Sequence, residues 1–222
     1  EGRSTATTVM SFSIIKALHD AGIPADSRKL LSFTDNRQDA SLQAGHFNDF
    51  MMLGMLRSAI YQALKDAPDN RLTIENIADA VFSKLNLPET EYAKEPSPDP
   101  GWPDPENEKA IKDYLTIRIL YDLKRGWRYN TPNLEQSGLL RIGYSRLREF
   151  CARTDGIFEP VPFLHTLTPE ERYDVLLQVL NFFRTSYAFE YYKLTDRRPD
   201  TEERMRLKLD DEKLWSLDRD EK

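Results

Sequence analysis

The sequence predicts a mainly helical, bundle-like fold with one or two short strands. Apolar residues recur at intervals of three and four along most of its 222 residues. One apolar run, Leu30, Leu31 and Phe33, is too short for a helix and is bounded by polar residues, as a buried strand is. Prolines at 88, 96, 98, 100, 103 and 105 gather the breaks in regular structure into one segment.

Val9, Phe12, Ile15 and Leu18 give an amphipathic helix over Thr5 to Ala21, stopped by Gly22 and Pro24. Lys29 to Thr34 then reads as a strand with apolar residues on both faces, expected to be poorly partnered and to pair with Leu139 to Tyr144. A long helix follows from Asn36 to about Ala67. Phe47, Met51, Met55 and Tyr61 lie near one face, Leu42, Phe50, Leu53 and Ile60 near another, so much of its circumference is expected to be covered. Ile77, Val81 and Leu85 mark a shorter helix over Thr73 to Leu85. The proline-rich stretch from Leu87 to Pro105 reads as an extended surface connection, with docking of a partner around Trp102 as the functional alternative.

Ile111, Leu115, Ile119 and Leu123 mark the next helix, from Glu106 to near Gly126. "TPNLEQSGLLRIGY" gives a short helix, a glycine stop and a strand-like tail. A winged-helix wing has that outline, but no recognition helix rich in exposed Arg, Lys, Asn or Gln accompanies it. Thr168, Pro169 and Glu171 form a capping box that starts a helix, and Tyr173, Leu176, Leu177, Leu180, Phe183 and Tyr187 predict that it is buried. Beyond Lys193 the mixed charges predict a solvated helix or a ragged end.

A net charge of −6 argues against a generally basic nucleic-acid coat, so any phosphate contact must be local. Cys151 is the single cysteine, which rules out an internal disulfide or a cysteine-based zinc site and favours an intracellular, cytoplasmic setting. No apolar run approaches the roughly 20 residues of a membrane span, and Glu1 to Ser4 lacks a signal-peptide layout, so the chain reads as soluble and as a piece of something longer. There is no GxxxxGKS/T phosphate loop, GxGxxG turn, GxSxG elbow or HExxH pair. His19, His46 and His165 have no ligand-like spacing, and His46 with Asp49 has only helical proximity to suggest hydrolytic chemistry. "RLKLDDEK" has the outline of a strand followed by acids, but its alternating charges suit a helix. Cys151 follows Phe150 and suits core packing.

The most informative cluster is Thr34, Asp35, Asn36, Arg37, Gln38 and Asp39, at the junction of the predicted strand and the long helix. Asp35 with Gln38 three residues on makes an Asp-x-x-Gln capping box, which accounts for those two side chains. It leaves Thr34, Asn36 and Arg37 unexplained. A helix N-terminus offers free N–H groups and a positive dipole to phosphate, with Thr34 and Asn36 as donors and Arg37 as the charge. Cap alone and cap plus phosphate both stand on the residues.

"KLLSFTDNRQDASLQAGHFNDF" closely resembles the motif IV region that opens the second RecA-like domain of large bacterial superfamily-two DEAD/DEAH-box helicases, of the Lhr-like and mitomycin-repair-like type. "NLEQSGLLRIGYSRL" is similar to a later segment of the same proteins. The resemblance implies that Thr34, Asn36 and Arg37 contact the phosphate backbone of single-stranded DNA, or RNA, while Asp35, Gln38 and Asp39 support the turn. It implies that residues 1–67 begin the second RecA-like domain, part of an α/β fold. Residues 68–105 are then a helix and proline-rich linker, and 106–222 a helical accessory insertion. The parent would use ATP and Mg2+, and its remaining chain would be a partner. Walker A, DExH and the arginine-rich motif VI are missing, so no catalytic residue, metal ligand or cofactor site is assigned here and the chain alone is expected to be inactive. The rival is a non-catalytic helical protein-interaction domain.

Overall fold

The computed structural model describes residues 2–31, 37–125, 132–186 and 199–215. Among them the fold is mainly helical, with helices α1 (Gly2–Asp20), α2 (Arg37–Asp66), α3 (Ile77–Leu85), α4 (Pro105–Arg125), α5 (Leu147–Cys151), α6 (Pro162–Thr166), α7 (Pro169–Thr185) and α8 (Pro199–Lys208). No described helix is long and apolar enough to cross a membrane.

The core is built on the second half of α2. Met52, Leu56, Ala59, Ile60 and Ala63 recur with helical period and are all buried, facing Ile77 and Val81 of α3 and the centre of α4. Helix α4 is buried around most of its circumference, with Ile111, Tyr114, Leu115 and Ile119 inaccessible to solvent. Polar residues on its buried sides are paired. Arg204 of α8 binds Asp113, and Arg57 of α2 binds Asp122.

The charged tail, expected to be a solvated helix or a ragged end, is helical over Pro199–Lys208, but over its described residues it is not simply solvated. Helix α8 packs on α4, and Met205, Leu209 and Trp215 are buried in the same core as α2. The charges that dominate this stretch occupy its outer side, for example Arg206 with Glu202 and Lys208 with Asp104. The connection after α3 is likewise more than a surface linker. Tyr92 and Ala93 are buried, Ala93 forms an isolated antiparallel bridge with Leu209, and backbone bonds of 2.9 Å run from Lys94 N–H to Lys208 and from Asp210 N–H to Tyr92. Glu89 holds the loop shut, accepting from Ser97 N–H at 2.8 Å, Asp104 N–H at 3.1 Å and the Asn107 amide at 2.6 Å. Trp102, by contrast, is 79% exposed.

Four further expectations need correction. The strand placed at Lys29 to Thr34 is irregular over its described residues 29–31, where Leu30 and Leu31 are exposed. Residues 139–144 are also irregular, and among the described residues no ladder joins the two segments. The described part of "TPNLEQSG", from Pro132 on, makes one turn instead of a helix. Asn133 and Gln136 exchange backbone-to-side-chain hydrogen bonds across it, and Gly138 ends it at φ +72°. Helix α3 starts at Ile77 rather than Thr73, because Asn76 Oδ1 takes the Thr73 N–H into a turn. Helix α7 has the predicted capping box, with both Thr168 and Glu171 bonds present. It has no fully buried residue, however, and Phe182 is 64% exposed. Helix α7 rests chiefly on α5 and reaches α4 near that helix's end, where Arg184 donates to Leu123 O.

Candidate nucleic-acid interface

Thr34, Asp35 and Asn36 lie outside the described residues. Arg37 is the first residue of α2, with Gln38 and Asp39 in its first turn; the side chains of these three also lie outside the described set. Among the described residues helix α2 therefore begins at Arg37, inside the polar cluster. The segment entering the cluster is tied by Arg28 Nε, which donates to Ile23 O at 2.7 Å.

What fixes the direction of α2 is its other half. Besides the apolar stripe, Arg57 donates through Nη2 to Asp122 Oδ1 at 2.7 Å and through Nε to both carboxylate oxygens at 3.1 and 3.2 Å. Asp122 is buried, and its partner is only slightly exposed. The network continues beyond the pair. The Asn133 amide donates to the Asp122 and Leu123 carbonyls, and Arg184 of α7 donates to Leu123 O at 2.8 Å and binds Glu135 at 2.7 Å. Helix α2 is thus fastened through the end of α4 to α7. Sequence reasoning missed Arg57 and Asp122, which stand 65 positions apart with nothing local to join them.

A groove of about 550 Å3 opens between α3, α4 and the proline-rich loop, lined in part by Asp79, Pro103, Pro105, Glu108, Lys112 and Asp113. Lys112 sits 2.7 Å from Asp79 and also bonds Glu108. Burial works to lower its pKa, but the two carboxylates outweigh that and leave it above the ordinary lysine value. Lys112 is held as a cation and is unsuited to act as a base or nucleophile.

The other candidates have structural partners or little setting for chemistry. Burial pushes the Cys151 thiol up despite Arg172 and Arg148 nearby, which suits packing rather than nucleophilic attack. His19 is exposed beside Asp20, His165 is exposed on α6, and the His46 side chain lies outside the described residues. Among the described residues no group of three or more His, Cys, Asp or Glu side chains is arranged to hold a metal ion.

The comparisons with known proteins add no assignment: no family model, curated protein or solved structure matches this chain.

Proposed function

We propose that this chain is part of an ATP-dependent helicase or translocase, in which the turn at Thr34, Asn36 and Arg37 holds the phosphate backbone of single-stranded DNA, with RNA as the variant substrate. The observation that carries the reading is "SFTDNRQDA" running directly into α2, whose first helical residue is Arg37. A phosphate-binding turn works only if it is held still, and the far half of α2 is clamped by its apolar stripe and by Arg57 with Asp122. The apolar residues before it also fit. Val9, Met10, Phe12 and Ile14 of α1, with Leu30 and Leu31, are exposed, and these are residues that the remaining sheet of an α/β motor domain would cover. ATP and Mg2+ belong to the parent protein in this reading.

Arg37→Ala in the full-length parent tests it. The expected result is weaker DNA binding and reduced DNA-stimulated ATP hydrolysis, with nucleotide binding retained. Unchanged DNA-stimulated turnover removes the phosphate role. A second reading, a non-catalytic helical interaction domain, is favoured by the exposed Val179, Phe182 and Phe183 on α7 and by Trp102. An Arg37→Ala parent with unaltered DNA affinity supports it.

A further inference from the structure

On an acidic chain, unneutralised arginines are informative. Residues 139–153, "LLRIGYSRLREFCAR", carry four arginines and one glutamate against a net charge of −6 for the whole chain. All four arginines are exposed. Arg153 is taken by Asp155. The side chains of Arg141 and Arg146 have no hydrogen bond or ion pair with any described residue, and the Arg148 guanidinium, near Cys151, lies 4.0 Å from the centre of the Tyr173 ring without a carboxylate partner. Two acids of the adjoining segments are occupied elsewhere. Glu135, which accepts weakly from Ile142 N–H, binds Arg184, and Glu171 is held in the α7 capping box.

Arg146 is placed at a backbone cost. It sits at φ +62°, a conformation that glycine or asparagine adopts more cheaply. No contact of its side chain offsets that cost. Beneath the arginines the platform is rigid, because Arg172 of α7 donates to Leu164 O at 2.7 Å, His165 O at 3.0 Å and Cys151 O at 3.2 Å, joining α5, α6 and α7. Aromatic surface accompanies the charge. Phe150, one helical turn from Arg146, is 37% exposed and meets Phe158 edge-on at 5.3 Å, and Phe163 on α6 is 61% exposed.

We propose that Arg141, Arg146 and Arg148, with Phe150, form a second contact for single-stranded nucleic acid, separate from the turn at the start of α2. The arginines take consecutive backbone phosphates and the exposed ring receives a base. Free cations next to aromatic surface is the combination that sequence-tolerant single-strand binding uses, whereas an acidic peptide would have no use for the ring. The inference rests on the reading above only in taking nucleic acid as the polymer.

The test uses the purified chain and a fluorescein-labelled oligothymidylate, followed by anisotropy over a series of salt concentrations. Each phosphate contact on a single strand contributes a salt slope of about 0.7. Arg141→Gln with Arg146→Asn, the second chosen because asparagine tolerates positive φ, is expected to lower the slope by about 1.4 with the thermal unfolding midpoint unchanged. Arg141→Lys with Arg146→Lys is expected to keep it. An abasic oligonucleotide of equal length should bind about five-fold more weakly or worse. An unchanged slope in the Gln/Asn variant overturns the proposal. So does equal, arginine-dependent uptake of polyglutamate, which would mark a site for acidic peptides. The same variant made in an Arg37→Ala background separates the two sites. A slope that falls only with Arg37 sinks the second contact and leaves the turn, and a slope that falls only with Arg141 and Arg146 does the reverse.

Discussion

Asp122 is a fully buried carboxylate whose charge is met by Arg57, and removing either partner leaves the other in a poor solvent for ions. Asp122→Ala is therefore expected to cost about 3 to 5 kcal/mol in urea unfolding. Arg57→Met with Asp122→Leu, which removes both charges, should recover most of that. A double variant as unstable as the single one would show that the pair is worth more than its desolvation. Caps follow a gentler arithmetic. Asp35→Ala is expected to cost about 0.5 to 2 kcal/mol, whereas Arg37→Ala should leave folding unchanged, a contrast that chemical denaturation of the two variants reads directly. At the α7 cap, the Thr168 backbone N–H and hydroxyl both bond the Glu171 carboxylate and hold its pKa below the ordinary glutamate value. A pKa lower in the folded than in the unfolded chain adds stability above the unfolded value and loses it as pH falls through the folded one. Thr168→Ala is thus expected to cost about 1 kcal/mol at neutral pH and less well below pH 4.5, the ordinary value. An equal cost at both pH values would show that Glu171 adds nothing to the cap.

At the level of elements, Trp215 gives the clearest test of the unexpected role of the charged tail. It is 2% exposed in a core shared with α2 and α4, so Trp215→Ala should cost about 3 to 5 kcal/mol. Its emission should be blue-shifted and should move to the red on unfolding, and replacing exposed Trp102 by Phe should sharpen the blue component. Native emission unchanged by Trp215→Ala would place that ring in water. Elements with local signals were legible in the sequence. The helical run of α2, the stripe of α4 and the Thr168, Pro169 and Glu171 start of α7 rest on residues a few positions apart and are fixed by helix geometry, although the face that α2 buries is Met52, Leu56, Ala59, Ile60 and Ala63 rather than the one through Met51, Met55 and Tyr61, of which Tyr61 is exposed. Burial set by distant partners was not legible. Tyr92 reads as part of a proline-rich linker until Leu209 and Asp210 are brought beside it, and α8 reads as solvated because its few apolar residues matter only where α4 receives them. Burial pushes the Tyr92 phenol up to about 12, with Glu89 adding to the effect. Helix α7 failed in the opposite sense, since its apolar face is real but its packing partner is chiefly the short helix α5, which leaves Phe182 and Phe183 exposed. The candidate site divides in the same way. The polar cluster at 34–39 was visible as a motif, whereas Arg57 and Asp122, which steady it, and the unpaired Arg141 and Arg146 emerge only in three dimensions.

For the whole molecule, charge and missing motifs set what it can do alone. Catalysis of ATP hydrolysis by a RecA-like motor needs a glycine-rich cradle and lysine for the β and γ phosphates, acids for Mg2+, and an arginine from the facing domain. The sequence has no GxxxxGKS/T stretch, and Lys112, the lysine in the groove beside α3, is committed to Asp79 and Glu108. The chain is expected to show no ATP turnover above background. Its nucleic-acid affinity should be limited in the same way, by the number of free cations rather than by the shape of the surface. With a net charge of −6, the proposed contacts, the turn at Arg37 and the strip at Arg141 to Arg148, would offer about four phosphate contacts, a combined single-strand salt slope of about 3. Raising salt from 50 to 200 mM, a four-fold change, then lowers affinity by roughly 60-fold. Weak binding at low salt should therefore vanish at physiological salt, as anisotropy with labelled single-stranded DNA would show. Tight binding that survives physiological salt, or measurable ATP turnover by the purified chain, would mean that the molecule is a self-sufficient enzyme or DNA-binding domain rather than one part of a motor.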